Sequence, residues 1–254
     1  MNARALLQPV RQLALRAGAE IMRLRPQAAV RSKADASPVT EADEAAERLI
    51  VAGLATLQPA LPVVAEELMA GGATPQTGRA FWLVDPLDGT KSFIQGRDDF
   101  TVNIALIEDR RPVMGVVYAP ATHELYAGVV GSGASQSHDD GAVHPIQCRV
   151  PPADGLDVVV SLMHDTEEDI AYLLAGCHVR TIRRLSSSVK FCLVAAGEAD
   201  FYTRRGETSE WDTAAGQAVL LAAGGRVHTH DGNELVYGKP GFRNPGFVAQ
   251  GRTS

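Results

Sequence analysis

Cysteine is scarce in this chain and poorly placed for cross-linking. Cys148, Cys177 and Cys192 are odd in number, widely spaced and form no Cys-x-x-Cys pair. A disulfide framework is therefore not expected, and a reducing compartment is. Cys192 lies in an apolar stretch and reads as a small core residue. Positive charge is also in deficit: 24 Lys and Arg stand against 30 Asp and Glu, a net charge of −6, so the electrostatic footprint of a duplex nucleic-acid binder is missing. No apolar run approaches the ~20 residues of a membrane helix. Arg11 and Arg16 break the apolar residues near the start, so no secretory leader is expected there. Internal repeats, low-complexity tracts and a Gly-x-Ser-x-Gly nucleophile elbow are all missing from the sequence. These absences point to a cytoplasmic protein, with peripheral membrane association left open.

What is present suffices for a large core. Hydrophobic residues make up 45% of 254, enough for one big domain or two intimate ones. Residues 3–24 carry Leu6, Val10, Leu13, Ala17, Ile21 and Leu24 at helical spacing, with Pro26 beyond the end. A polar stretch over 31–40 ends in Thr40, a good N-cap for a helix to about Leu57 with Glu41, Asp43 and Glu44 in its first turn. Residues 61–65 read as a short strand, 70–79 as an exposed loop, and 80–84 as a buried strand. The runs 100–107, 113–118 and 124–130 suggest an antiparallel meander, and 131–141 a loop or hairpin tip. Beyond Pro151-Pro152 strands and helices alternate: strands at 156–161, 178–182, 200–203 and 226–229, helices at 165–175, 187–196 and 211–223. The expectation is an α+β half over 1–150 and an α/β half over 151–254, with the boundary near residue 150.

The most informative residues are Asp85-Pro86-Leu87-Asp88-Gly89-Thr90, just past the apolar strand Ala80–Val84. Two carboxylates three residues apart sit on a chain stiffened by Pro86 and allowed unusual angles by Gly89. Two hard oxygen ligands on a stiff loop are what a Mg²⁺ site beside a phosphate needs. The same residue types also make ordinary turns, so their companions decide. Glu66 and Glu67 end the neighbouring predicted strand. If the two strands run parallel, their carboxyl ends share an edge where ligands bind. Strand alternation would send Glu67 outward. Asp212 opens the predicted helix at Trp211, where an Asp is usually a cap, and Gly216 allows a close backbone approach.

Taken together, Pro38-Val39-Thr40-Glu41-Ala42-Asp43, Glu66-Glu67, the Asp85 hexapeptide and Trp211-Asp212-Thr213-Ala214-Ala215-Gly216 resemble, in order and spacing, the inositol monophosphatase-like, Mg²⁺-dependent, lithium-sensitive phosphatases. The match runs from about residue 5 to 250. Within that superfamily the chain is most similar to the CysQ-type 3′(2′),5′-bisphosphate nucleotidases, through Trp82–Lys91, Phe100–Ile107, Gly115–Pro120, Lys190–Ala195 and Asn244–Phe247. The resemblance implies an alternating layered α-β-α-β-α sandwich, α+β in one half and α/β in the other, with the site between them. It implies metal carboxylates from Glu66, Asp85, Asp88 and Asp212, a backbone carbonyl from Leu87, and two Mg²⁺ ions bridged by Asp85. Glu66, Thr90 and Asp88 would be catalytic, with Thr90 beside Glu66 activating water. Substrate would meet Leu87, Asp88, Gly89, Thr90, Ser187, Lys190 and Asp212, the Gly89 and Thr90 amides holding phosphate at a helix start. Asp43 and Lys33 match positions near a third, weaker metal. The chain departs from the CysQ pattern at Ala65, where Ser is usual, and at Ser186, where Gly is usual.

The implied chemistry is hydrolysis of the 3′-phosphate of adenosine 3′,5′-bisphosphate and of its sulfated relative, linked to sulfur assimilation and nucleotide recycling. The partner is a small phosphate monoester and not a nucleic-acid polymer; monomer and homodimer both stay open. Two metal ions would neutralise phosphate oxygens and lower the pKa of a bound water, with no covalent intermediate. Lys190, Arg183, Arg184, Arg204 and Arg205 are candidates for the second phosphate, most of the arginines being better read as surface charge. An inositol or sugar monophosphatase on the same scaffold is the alternative. A metal-dependent nucleotide-binding protein without turnover is a third reading, against which the intact carboxylate set and Thr90 speak.

Overall fold

The periodicities in the chain translate into two sheets and three helical layers. The computed structural model describes residues 2–33, 37–73 and 75–252, so the expected polar stretch and loop lie outside the described residues at 34–36 and 74. Helix α1 (Ala3–Leu24) leads to an antiparallel pair, β1 (Val30–Ser32) and β2 (Pro38–Thr40). Thr40 then caps α2 (Glu41–Leu54): Asp43 Oδ2 accepts from Thr40 N at 2.8 Å, and Thr40 Oγ1 accepts from Ala42 N at 3.2 Å. This is a capping box with Asp in the acidic role. The helix stops at Leu54, short of the expected Leu57.

A seven-stranded sheet follows. It contains β3 (Val63–Ala65), which continues into helix α3 (Glu66–Ala70), and β4 (Ala80–Asp88), which leads to helix α4 (Thr90–Ile94). The meander β5 (Thr101–Glu108), β6 (Arg111–Ala119), β7 (Glu124–Val129), β8 (Gly133–His138) and β9 (Val143–Ile146) completes it in sequential order. Within this sheet, among the described residues, only β3 and β4 pair in parallel. The segment expected as a loop over 131–141 is mostly strand β8. Its residues are small and polar, without the β-branched signal that marks a strand, and pairing with β7 from Val129↔Gly133 to Glu124↔His138 decides it.

The second sheet has the order β11-β10-β12-β16-β14. Its elements are β10 (Leu156–Ser161), α5 (Glu167–Leu173), β11 (Val179–Leu185), α6 (Val189–Ala195), β12 (Phe201–Arg204), the short β13 (Thr208–Ser209), α7 (Ala214–Ala222), β14 (Arg226–Thr229), β15 (Arg243–Asn244) and β16 (Phe247–Gln250). The short strands β13 and β15 pair separately.

Alternating burial shows how the layers stack. On β4, Trp82 and Val84 join the core under α1 and α2, while Phe81 and Leu83 join the core containing α6 and α7. On β10, Val159 faces that central core, and Val158 and Val160 pack with Ile170 and Leu174 on the α5 side. A period of two along both strands thus separates five layers, α-β-α-β-α. The central layer is tight because Gly115 and Gly128 are register partners. A Cβ on Gly115 would lie 2.3 Å from Ala215 O, and one on Gly128 2.8 Å from Ala222 Cβ. The bare backbone at these two positions lets the Ala-rich helix α7 settle directly on the sheet.

Candidate active site

Parallel pairing of β3 with β4, Ala65 opposite Val84, brings Glu66 and Asp85 to one sheet edge. At that edge β4 is irregular. Asp85 pairs with Asn103 and Asp88 with Thr101, three steps on one strand against two on the other. The extra residue is a bulge, which bends the strand and re-aims its side chains. Asp85 Oδ1 accepts from Leu87 N at 3.0 Å, tying the bulge to the carboxylate it presents. Gly89 follows at φ 95°, where a side chain is strained, and a Cβ would sit 3.1 Å from Asp99 O. Helix α4 then starts at Thr90 and has only five residues, too few for a strong macrodipole.

Thr90 meets a different carboxylate from the one expected. Its Oγ1 lies 3.0 Å from Asp43 Oδ1 and 3.1 Å from Leu87 O. Asp43 is itself fixed by Thr40 through the capping box, so helix α2 positions the hydroxyl. Glu67, expected to point outward, does not. Residues 66–70 are helical, strand alternation no longer applies, and Lys33 Nζ lies 2.6 Å from Glu66 Oε1 and 2.7 Å from Glu67 Oε1. Burial pushes the Glu67 carboxyl up to about 7, against the pull of Lys33. Burial opposes the Lys33 charge, but its two carboxylate partners outweigh that and hold the ammonium above its usual range. Glu47 on α2 accepts from Glu67 N at 2.7 Å and caps α3, which has no cap of its own.

Asp212 comes from the other half of the chain. It precedes α7 rather than opening it, since the helix starts at Ala214. Its Oδ2 accepts from Ser209 N at 2.8 Å, which closes the turn. Gly216 admits the Phe191 ring rather than another backbone, a Cβ there falling 2.6 Å from Phe191 Cδ2. The serine run 186–188 stitches the halves together. Ser188 Oγ donates to Asn103 Oδ1 at 2.6 Å, and Asn103 Nδ2 donates to Asp88 Oδ2 at 3.2 Å. Asp99 Oδ2 accepts from Ser186 N at 2.8 Å, and Ser92 Oγ donates to Ser186 Oγ at 2.8 Å. Ser186, one of the departures from the CysQ pattern, thus supplies a hydroxyl bridge that Gly could not.

These groups line one cavity of about 620 Å³ between the two sheets. Glu66, Asp85, Leu87, Asp88, Gly89, Thr90, Ser187, Lys190, Asp212 and Lys33 all border it; Asp43 stands behind Thr90. A cationic region borders it as well, with Lys190, Arg204 and Lys91, and His164 lies beside them. Lys190 is 3% exposed, donates to Ser187 O, and stands 5.1 Å from the centre of the Tyr202 ring. It does not reach out to solvent. Burial lowers its ammonium to about 8, against the pull of Asp88. Arg204 Nε is buried without a hydrogen-bond partner among the described residues. Arg183, Arg184 and Arg205 are instead engaged with Glu198 O, Glu167 and Asp169. His164 was not anticipated. Burial, with Arg204, Lys91 and Lys190 nearby, lowers it to about 4. Its position just past the carboxyl end of β10 was the available signal.

Residues 2–251 match the model of the inositol monophosphatase family. The chain belongs to the inositol monophosphatase family. It is 46% identical over 250 residues to the 3′(2′),5′-bisphosphate nucleotidase CysQ of Escherichia coli K12, covering 95% of this chain and 98% of that protein. Among solved structures, CysQ from Bacteroides thetaiotaomicron aligns with a TM-score of 0.80 at 36% identity, covering 96% of each chain. An inositol monophosphatase from Anabaena aligns at 0.78 with 27% identity, covering 98% of this chain and 92% of that one. The layered sandwich is the fold of this family, and the chain is a phosphatase.

The residues suit the hard divalent cation that such a phosphatase implies. Burial raises Asp85 well above the carboxylate range, and Glu66, Asp88 and Asp212 add to it. Burial also raises Asp88, though Lys190 and Asn103 oppose the shift. Asp212 is raised to about 8 by burial and by Asp88 and Glu66. Among the described residues no three acidic, histidine or cysteine groups already converge on one point, and Lys33 occupies Glu66 instead. An all-oxygen set of repelling carboxylates is short of positive charge, which a hard cation supplies. The sequence offers one competing pattern, for Cys177 and Arg183 have the Cys-x₅-Arg spacing of cysteine-dependent phosphatases. Here that stretch runs into the extended strand β11, and Arg183 donates to Glu198 O, so no phosphate-cradling loop forms.

Proposed function

We propose that this phosphatase hydrolyses the 3′-phosphate of adenosine 3′,5′-bisphosphate in a Mg²⁺-dependent reaction, and acts also on 3′-phosphoadenylyl sulfate in the service of sulfur metabolism. The supporting observation is the two-signed cavity: carboxylates in one region, and in another a buried Lys190 beside an Arg204 donor without a partner. A substrate with two phosphates matches that pattern, and the name of the E. coli relative agrees. Glu66, Asp85, Asp88, Asp212 and the Leu87 carbonyl would hold two Mg²⁺ ions, which neutralise phosphate charge and acidify water when bound. A third, weaker ion beside Asp43 and Lys33 would require Lys33 to leave Glu66.

In this reading the halves 1–150 and 151–254 contribute different parts. Thr90 directs its proton to Asp43 or Leu87 O, which turns an oxygen lone pair toward water. Water oxygen attacks phosphorus and gives up one proton, the P–O3′ bond breaks, and the 3′-oxygen takes up one proton, so that a 3′-hydroxyl and hydrogen phosphate leave. The Gly89 and Thr90 amides hold phosphate oxygens. Ser187 and Lys190 hold the second phosphate, with Arg204. No described helix is long and apolar enough to cross a membrane, and the three cysteines are free. Both facts suit work on a cytoplasmic nucleotide pool. The test is phosphate release from adenosine 3′,5′-bisphosphate against inositol 1-phosphate, with and without Mg²⁺. Faster turnover of the bisphosphate, dependent on Mg²⁺, is expected. Preference for inositol 1-phosphate would move the chain to the inositol or sugar phosphatases.

A further inference from the structure

Three to four strands along the sheet from β4, two imidazoles lie close together. His123 lies in the turn before β7, and His138 ends β8 opposite Glu124. Strands about 4.8 Å apart put roughly 14–19 Å between these positions and β4. Neither histidine borders the carboxylate cavity, and both are exposed. Their ring centroids are 5.6 Å apart, with the planes inclined at 52°. The rings are therefore not stacked. His123 Nδ1 lies 3.0 Å from Asp139 Oδ2 and 3.2 Å from Oδ1. Tyr118 Oη donates to Asp139 Oδ1 at 2.5 Å, which pins the carboxylate.

A carboxylate held in this way accepts the proton on Nδ1. Neutral His123 is then fixed as the tautomer whose Nε2 lone pair points away from Asp139, the arrangement that orients metal-binding histidines. The ring spacing agrees. Two imidazoles bound to one ion through nitrogens about 2.0–2.1 Å away have centroids roughly 5.2–5.5 Å apart at tetrahedral to trigonal angles. Imidazole nitrogen prefers zinc-like ions, whereas Mg²⁺ prefers oxygen. We propose that His123 and His138 chelate a divalent transition-metal ion of the Zn²⁺ class, with Asp139 orienting His123 and water filling the remaining positions. This site is separate from the carboxylate centre.

The full chain, saturated with Mg²⁺ so that the carboxylates are occupied, is titrated with Zn²⁺ in a calorimeter. One equivalent of Zn²⁺ is expected to bind and to be lost in His123→Gln and in His138→Gln. Asp139→Asn should weaken it roughly 10–100-fold. His138→Gln should keep full phosphatase activity in Mg²⁺ alone. Cys177 is an exposed thiol that could take Zn²⁺ instead, so Cys177→Ser is titrated beside the others and should retain the equivalent. Undiminished binding in His138→Gln, or its loss in Cys177→Ser, overturns the proposal. If a histidine variant fails to fold, the ring proton resonances of His123 and His138 in the unaltered chain decide. Both should shift with one Zn²⁺, and an unmoved resonance from either ring overturns the site.

Discussion

Two groups of aspartates stand in sharp contrast in this molecule. Asp157 and Asp200 are held by guanidinium groups: Arg149 Nε lies 2.8 Å from Asp200 Oδ1, its Nη2 lies 2.5 Å from Asp157 Oδ2, and Arg180 and Thr181 also donate to Asp157. Hydrogen bonding from Arg180 and Thr181 holds the Asp157 carboxyl well below the usual range. Asp85, Asp88 and Asp212 border the same cavity, and burial with repulsion among neighbouring carboxylates pushes them up. The first group is already neutralised and serves to tie β10, β11 and the 149–157 segment together. The second costs free energy to bury, and in the proposed reading a bound cation offsets that cost. Residue type does not distinguish them; the partner does.

The strongest way to break this comparison is Asp85→Asn. Turnover should fall to near background at saturating Mg²⁺. The metal-free variant should melt at or above the wild-type temperature, because one repelling charge is gone, and the rise in Tm on adding Mg²⁺ should largely vanish. A marked drop in metal-free Tm would put Asp85 in the structural group. Thr90→Ala comes next. With the hydroxyl between Asp43 and Leu87 O removed, kcat should fall roughly 100-fold or more, with KM little changed. A variant that only raises KM would make Thr90 a substrate-positioning residue.

Lys190→Ala addresses the cationic region. A charge-assisted contact is worth about 1.5–3 kcal/mol, so kcat/KM on the bisphosphate should fall roughly ten- to a hundredfold, while a simple monophosphate loses little. Equal losses on both substrates would mean that Lys190 supports the fold through Ser187 O and Tyr202. The smallest effect is expected from Asp157→Asn: activity unchanged, and stability at pH 7 lower by about 1–3 kcal/mol, at roughly 2–4 °C of Tm per kcal/mol. The Asp157 carboxyl is depressed in the folded state. Its contribution is therefore complete above the unfolded carboxylate range near 4 and is lost as pH falls below it. Thermal melts between pH 7 and pH 2 should accordingly converge for variant and wild type at the acid end.

Local physics made much of the fold readable. The α1 periodicity, the Thr40 cap, the meander and the alternating second half all follow from spacing of three to four or of two. The β8 strand did not, since small polar residues carry no such signal and their pairing is set by β7. The Asp85 motif is readable as a stiff carboxylate pair, but that Asp85–Asp88 form the bulged end of β4 and not a loop beyond it depends on register with β5. Alternation sends Glu67 outward, but the chain turns helical at Glu66, which replaces alternation by a helical period. His164 was missed because one histidine after a strand has no local pattern to distinguish it.

By itself the sequence determined most of the longer helices and strands, the order of the acidic motifs, and the oxygen-rich chemistry they carry. These depend on residues within a few positions of one another, where backbone geometry leaves few choices. Tertiary structure alone decided that Asp43 rather than Glu66 holds Thr90, that Lys33 bridges Glu66 and Glu67, that Ser188 reaches Asp88 through Asn103, and that Arg204 borders the cavity while its neighbour Arg205 pairs with Asp169. The electrostatic state of a carboxylate is set by burial and by charges a few ångströms away. Those charges come from residues tens of positions distant in the chain, so they become neighbours only when the two sheets close around one cavity.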